Sequence, residues 1–181
     1  MTEKPKAPPL EFKPLQRDCP CGPFTCGHDA IDKWLKEKAW KRHSGYRVRV
    51  RTAHLKGNRN PVGFYALVLN SEPVDHLDRA EKNAGWEGPS FPCVHLWYLA
   101  VLQRMQRQGV GRLVLMDAIE SVYEISQYAG VYGMTLNAID ERAAAFYNSL
   151  GFRKYGPDSR TPKMLLPIFT IVELFEKEPV S

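Results

Sequence analysis

The chain has 181 residues, 44% hydrophobic and 25% charged, which suits one folded domain with a full core and excludes a disordered or fibrous protein. Its formal net charge is +5 and its pI is near 9.0, so anionic partners are favoured. No apolar run approaches the roughly 18 residues that span a bilayer and the start lacks a basic-then-apolar leader, so the expectation is a soluble, cytoplasmic protein with no membrane contact.

Residues 1–25 hold Pro5, Pro8, Pro9, Pro14, Pro20 and Pro23, too many for a helix and unsuited to a central strand. They read as an extended lead-in (1–25) to a single domain (26–181). Cys19, Cys21, Cys26 and Cys93 are not expected to form a disulfide framework. Cys19-x-Cys21-x4-Cys26-x-His28 could offer zinc ligands, but its spacing departs from the usual pattern, and a cluster of reduced thiols is the alternative preferred. No metal is expected.

From Asp29 the pattern is helical, with Ile31, Trp34, Leu35 and Ala39 on an apolar face and His28 or Asp29 at the cap. Lys33, Lys36, Lys38, Lys41 and Arg42 fill the rest, either as a solvated face or as a surface that meets phosphates. Tyr46–Leu55 alternates as a strand with Val48, Val50 and Thr52 on one side and Arg47, Arg49 and Arg51 on the other. Three like charges on one sheet face repel unless solvent or an anion relieves them. A second strand, Val62–Leu69, pairs with it as a hairpin. Residues 70–92 read as a long loop bordering an acceptor site, with Trp86 and Phe91 lining that site or pinning the loop.

The stretch His95–Ile119 carries the strongest signal. An apolar strand, His95–Leu102, leads into a polar turn with Gly109 and Gly111, and then apolar residues recur at helical spacing at Val110, Leu113, Val114, Ala118, Val122 and Ile125. A helix start presents unpaired N–H groups and partial positive charge, and glycines let an anion approach the backbone. Arg104, Arg107 and Arg112 add charge there, so the turn suits a pyrophosphate. The spacing matches neither the dinucleotide nor the Walker loop. Farther on, Val131–Ala138 reads as a strand, Asp140 as the N-cap of a short helix, and Gly151 as its stop. Phe152–Tyr155 and Lys163–Pro167 are expected last strands, with 168–177 closing the chain.

Gln106-x-x-Gly109-x-Gly111 resembles the Q/R-x-x-G-x-G/A acetyl-CoA loop of the GNAT N-acetyltransferases, and LNAIDERAAAFYNSLGF (136–152) resembles their fifth strand, following helix and tyrosine segment. The resemblance implies an α/β (α+β) GNAT fold with a central mixed, mostly antiparallel sheet, a V-shaped splay and flanking helices. It implies pantetheine along Leu99, Ala100 and Val101, and pyrophosphate on Gln106, Arg107, Gln108, Gly109, Val110, Gly111 and Arg112. Asn137 and Phe146 would contact the cofactor, and Tyr147 would act as general acid. A phenol suits that role because its pKa of about 10 keeps it protonated at neutral pH. The reaction class needs direct attack of a neutral amine on the thioester, N–H groups for the oxyanion, and a proton for the leaving thiolate. Glu120, Asp140, Glu141, His95 or a water chain could take the amine proton, and the sequence does not rank them.

A closer resemblance is to the acetyltransferase toxins of toxin-antitoxin pairs, carried by CGHDAIDKWLKEKA, VGFYAL and the 136–152 segment. It implies transfer to the amino group of aminoacyl-tRNA, reached through Lys33, Lys36, Arg47, Arg49 and Arg51, with an antitoxin partner and a homodimer as further expectations. Protein, peptide or small-molecule amines are the alternative acceptors, and a catalytically silent GNAT-fold module is the alternative from another class. Tyr98 stands where those toxins carry arginine before LAV, and Asp117–Ser121 lacks their second arginine.

Overall fold

The computed structural model describes residues 8–83 and 85–176. Their strands are β1 (Leu10–Pro14), β2 (Arg49–Leu55), β3 (Pro61–Pro73), β4 (Ser90–Val101), β5 (Gly133–Asn137), β6 (Arg153–Lys154) and β7 (Lys163–Pro167). Their sheet order is β1-β2-β3-β4-β5-β7-β6. β4 and β5 run parallel, and β1 with β2, β2 with β3, β5 with β7 and β6 with β7 run antiparallel, so the expected mixed, mostly antiparallel sheet is present. The helices are α1 (Asp29–Glu37), α2 (Ala39–Ser44), α3 (Arg79–Lys82), α4 (Val110–Ser126), α5 (Glu141–Asn148) and α6 (Ile168–Glu176). No helix among the described residues is long and apolar enough to cross a membrane.

The chain divides into two compact units, each described by itself: residues up to Val68 with Trp97–Ala118, and Leu69–Leu96 with the residues from Ile119 onward. In the first, alternate residues of the strands face opposite ways. Val50, Phe64, Ala66 and Ala100 face Trp34, Leu35 and Ala39 of α1 and α2 and form one core with Leu15, Phe24 and Val48. Burial of a side chain such as Phe64 contributes about 2 kcal/mol. On the other face α4 lies close to β3, because a Cβ on Gly63 would stand 3.0 Å from Val114 Cγ2 and 3.2 Å from the Ala100 carbonyl. Asp117 of α4 accepts from Tyr65 Oη at 2.6 Å and from Arg51 Nε at 3.1 Å. This ion pair relieves one of the three arginines expected to repel on that strand.

Several expectations change here. The lead-in supplies β1, an edge strand in register with β2 from Leu10↔Leu55 to Pro14↔Arg51, and an edge tolerates Pro14. β2 starts at Arg49 rather than Tyr46, because Tyr46 is left-handed at φ 56° and breaks extension. Arg49 then reaches back, its guanidinium 4.9 Å from the Tyr46 ring. His28 is the N-cap of α1 without a side-chain bond; Asp32 instead binds the incoming chain, accepting from Cys26 N at 2.8 Å and Thr25 Oγ1 at 2.7 Å.

In the second unit most of the long loop expected over 70–92 is ordered structure. β3 runs on to Pro73, a 3-10 turn covers Val74–His76, α3 follows with a capping box between Asp78 and Glu81, and β4 begins at Ser90. Trp86 pins this segment: its Nε1 donates to the Glu81 carbonyl at 2.8 Å, and its ring packs edge-on to Tyr132. Phe91 is fully buried with Leu77, Cys93, Tyr155 and Leu165. β5 spans Gly133–Asn137, shorter than expected, and β6 is only two residues long. Gly133 is required by close approach, since a Cβ there would meet the Leu166 carbonyl at 2.3 Å. α4 is apolar on more than the one predicted stripe, as Leu115 and Ile119 are also buried while Leu113 and Ile125 are only half-buried.

Candidate active site

Beyond Val101 the backbone passes through a 3-10 turn, Gln103–Met105, and then through two left-handed residues, Arg107 at φ 61° and Gly109 at φ 81°. An arginine in that region stores on the order of 1 kcal/mol of strain, which must be held by its surroundings. Gln106 does the holding, its Nε2 donating to the Cys26 carbonyl at 2.8 Å and the Val101 carbonyl at 3.0 Å. Gln108 Nε2 donates to the Arg104 carbonyl at 2.8 Å. The side chains of Gln106 and Gln108 therefore shape the turn, and their backbones are what remain for a ligand.

The first helical bond of α4 runs from Leu113 N to the Gly109 carbonyl. The N–H groups of Val110, Gly111 and Arg112 thus fall in the turn that no helix can satisfy internally. With the left-handed Arg107 and Gly109 just before it, this helix start is suited to an anion. Val110 and Val114 are fully buried, so the helix start is fixed, while the side chains of Arg104, Arg107 and Arg112 are exposed. The residues present fit a diphosphate. Upstream, Leu99 is half-buried and Ala100 and Val101 are buried at the end of β4.

In the other unit β5 ends at Asn137, whose side chain is exposed. Asp140 caps α5 as expected, accepting from Ala143 N at 2.7 Å. Phe146 and Tyr147 are half-buried, with rings 5.2 Å apart, and Tyr147 also packs edge-on to Phe152 at 5.6 Å. The Tyr147 hydroxyl has no hydrogen-bond partner among the described residues. Burial pushes its phenol above the ordinary tyrosine value, so it is a protonated donor at neutral pH. Gly151 at φ 95° turns the chain after the helix, and Phe152 N bonds back to the Tyr147 carbonyl at 3.2 Å.

The basic residues do not act alike. Lys33 and Lys36 on α1 and Arg47 are exposed; Arg49 lies over Tyr46 and donates to the His43 carbonyl; Arg51 is neutralised by Asp117. Tyr98 packs on Trp34 at 4.5 Å and stacks with the exposed Trp97. Cys19, Cys21 and Cys26 are free thiols, Cys19 Sγ lying 2.8 Å from Cys21 Sγ. Among the described residues no three His, Cys, Asp or Glu side chains gather as metal ligands.

Sequence reasoning passed over two polar constellations. One is Asp117, whose signal was a lone carboxylate inside the apolar run VLMDAI. The other lies on one face of β4, β5 and β7, where Cys93, His95, Thr135 and Lys163 align by register with Glu72 beside them. Only the three-dimensional pairing reveals that group.

Residues 53–154 match the family described as Acetyltransferase (GNAT) domain. The chain is 29% identical over 129 residues to a tRNA-acetylating toxin of Mycobacterium tuberculosis (strain ATCC 25618 / H37Rv), covering 71% of this chain and 75% of that one. It resembles AtaT complexed with acetyl-methionyl-tRNAfMet at 25% identity and a TM-score of 0.84, covering 92% of this chain and 99% of that one. A mutant AtaT toxin bound to the C-terminus of the antitoxin AtaR and acetyl-CoA is similar at 25% identity and a TM-score of 0.76, covering 93% and 99%. The anion turn, the tyrosine helix and the sheet order accord with this match, and the chain belongs to the GNAT acetyltransferase family.

Proposed function

We propose that this acetyltransferase moves the acetyl group of acetyl-CoA to the α-amino group of aminoacyl-tRNA, in the cytoplasm, as the toxin of a toxin-antitoxin pair. The observation that carries the acceptor is the likeness to AtaT in its complex with acetyl-methionyl-tRNAfMet, over 92% of the chain. A neutralising antitoxin partner follows from the AtaT–AtaR likeness.

In this reading the backbone of Arg107–Arg112 holds the pyrophosphate, Leu99–Val101 lie along the pantetheine, and Asn137 and Phe146 contact the cofactor. Acetyl-CoA supplies an activated thioester. Tyr147, protonated and with a hydroxyl that has no partner among the described residues, delivers the proton that the departing thiolate needs. Lys33, Lys36 and Arg47 are among the exposed cations available to phosphates of the acceptor, while Arg51 is already paired.

A second reading, a peptide or small-molecule amine as acceptor, is favoured by Tyr98 on Trp34, which replaces a cation with an aromatic surface. Labelled acetyl-CoA incubated in parallel with charged tRNA, deacylated tRNA, peptides and polyamines separates the two. Label only in charged tRNA supports the first, and label confined to peptides or polyamines overturns it.

A further inference from the structure

The segment leading into α1 carries Cys19, Cys21 and Cys26, and the first two meet. They flank Pro20 in a tight turn, with Cys21 N bonded to the Cys19 carbonyl at 2.7 Å, and their sulfurs lie 2.8 Å apart. Residues two apart in such a turn keep their Cα atoms within the roughly 4.4–6.8 Å that a disulfide spans. The two thiols are unlike. Cys19 is half-buried and opens onto a surface pocket of about 190 Å³ lined also by Lys13, Gln16, Thr52 and His54, whereas Cys21 is buried in the core with Leu15, Phe24 and Trp34. The Cys21 thiol donates to Cys19 and holds it below the usual thiol value, against the opposing effects of burial and Asp18. The same bond, together with burial, pushes Cys21 up. Negative charge therefore gathers on the sulfur that solvent reaches, beside a protonated thiol placed to resolve it.

The other two cysteines stand apart from this pair. Cys26 directs its thiol to the His28 carbonyl at 3.9 Å, and burial first pushes it up to about 11. Cys93 is fully buried in the other unit. The segment that holds the pair also braces the anion turn. Phe24 N bonds to the Cys21 carbonyl at 3.1 Å, and the carbonyls of Thr25 and Cys26 then accept from Gln103 N and Gln106 Nε2, both at 2.8 Å. The backbone thus runs from the buried sulfur directly to the bonds that hold the turn.

We propose that Cys19 and Cys21 form a site of reversible oxidation by hydrogen peroxide, and that closing their disulfide loosens the turn that receives acetyl-CoA. The Cys19 thiolate attacks one peroxide oxygen, the O–O bond breaks, and the departing hydroxide takes a proton to become water, leaving a sulfenic acid on Cys19. The Cys21 sulfur gives up its proton and attacks the Cys19 sulfur, the S–O bond breaks, and a second water leaves. Two thiols lose two electrons in all, and one peroxide is reduced to two waters. A dithiol reductant reverses the step by exchange. Ring closure draws the Cys21 sulfur from its core contacts, and the displacement passes along the segment to the Thr25 and Cys26 carbonyls. This coupling rests on the reading of Arg107–Arg112 as the pyrophosphate seat, whereas the chemistry at the sulfurs does not.

The test treats the reduced full chain with hydrogen peroxide and removes the excess with catalase. It then reads the whole-protein mass, the thiols alkylated by iodoacetamide in denaturant, and acetyl-CoA affinity by calorimetry. The expected result is loss of two hydrogens and of two alkylatable thiols out of the 4 present. Acetyl-CoA binding weakens about fivefold, the change that one lost neutral hydrogen bond brings, and dithiothreitol restores it. Cys26→Ser and Cys93→Ala keep this response, whereas the half-exposed variant Cys19→Ser and the core variant Cys21→Ala each lose it. Thiols left untouched by peroxide, oxygen added to Cys19 with no disulfide, or a disulfide that still forms in Cys19→Ser overturns the site. A disulfide that forms and leaves the affinity unchanged overturns the coupling to the turn. Reduced protein that binds no acetyl-CoA, with the disulfide forming as expected, overturns the pyrophosphate reading and not the site.

Discussion

Tyr65 and Asp117 are joined across β3 and α4 by a hydrogen bond of 2.6 Å, and Arg51 closes on the same carboxylate oxygen at 3.1 Å. The helix that begins at the anion turn is thus fastened to the sheet by a charge as well as by Val110 and Val114. Asp117→Asn removes the charge and keeps the shape. Hydrogen bonds to charged groups contribute about 1.5–3 kcal/mol, so urea unfolding should show a loss of that order, with acetyl-CoA binding weakened as the helix start loosens. An unchanged midpoint would remove Asp117 from this anchoring role.

Gly109 occupies a left-handed backbone position at the first residue before α4. A β-branched side chain there costs about 1–3 kcal/mol and also crowds the concavity. Gly109→Val should therefore weaken acetyl-CoA binding by tenfold or more in calorimetry, with circular dichroism as the check that the fold is kept. A normal dissociation constant would refute the pyrophosphate assignment.

Tyr147 carries a hydroxyl with no partner among the described residues and a phenol that burial keeps protonated. Tyr147→Phe deletes one oxygen and leaves the contacts with Phe146 and Phe152. The expected result is a fall in kcat of about 100-fold to 10,000-fold with acetyl-CoA affinity nearly unchanged, read from steady-state kinetics beside binding isotherms. Equal kcat for the two proteins would exclude the acid role.

His43 accepts a hydrogen bond from Val50 N at 3.0 Å through Nδ1, an arrangement only a ring unprotonated at Nδ1 can make. Burial first and Arg49 second lower its pKa, and burial also lowers those of His54 and His95. The unfolded chain, with histidines near 6.5, takes up protons before the folded one does. Stability is therefore full above that value and declines as pH falls through it toward the lower folded values. Urea unfolding at neutral and mildly acidic pH should show this decline, and His43→Asn should flatten it. A slope identical in the variant would place the effect elsewhere.

Much of the local structure at the candidate site was legible because it is short-range. The turn Gln106–Arg112 and the segment Asp140–Tyr147 are short stretches marked by glycine and capping residues at fixed spacing, and the Asp140 cap is where the pattern puts it; the left-handed Gly109 is an addition from the structure. What escaped depends on partners far apart in the chain. Gln106 was assigned to the ligand by its motif, yet its side chain bonds Cys26, which lies 80 residues away. Arg51 read as a free cation because Asp117 lies 66 residues distant. The breakers in 70–92 suggested a loop, but Pro73 ends a strand, Asp78 caps a helix and Trp86 seals both onto Tyr132.

The acceptor decides the central claim. Wild-type protein should be incubated with acetyl-CoA and aminoacyl-tRNA, the ester cleaved by mild alkali, and the released amino acid weighed by mass spectrometry. The account predicts the N-acetylated amino acid, formed far more slowly when Tyr147→Phe replaces wild type. Recovery of the free amino acid alone, under conditions where a peptide or polyamine amine is acetylated, would contradict it.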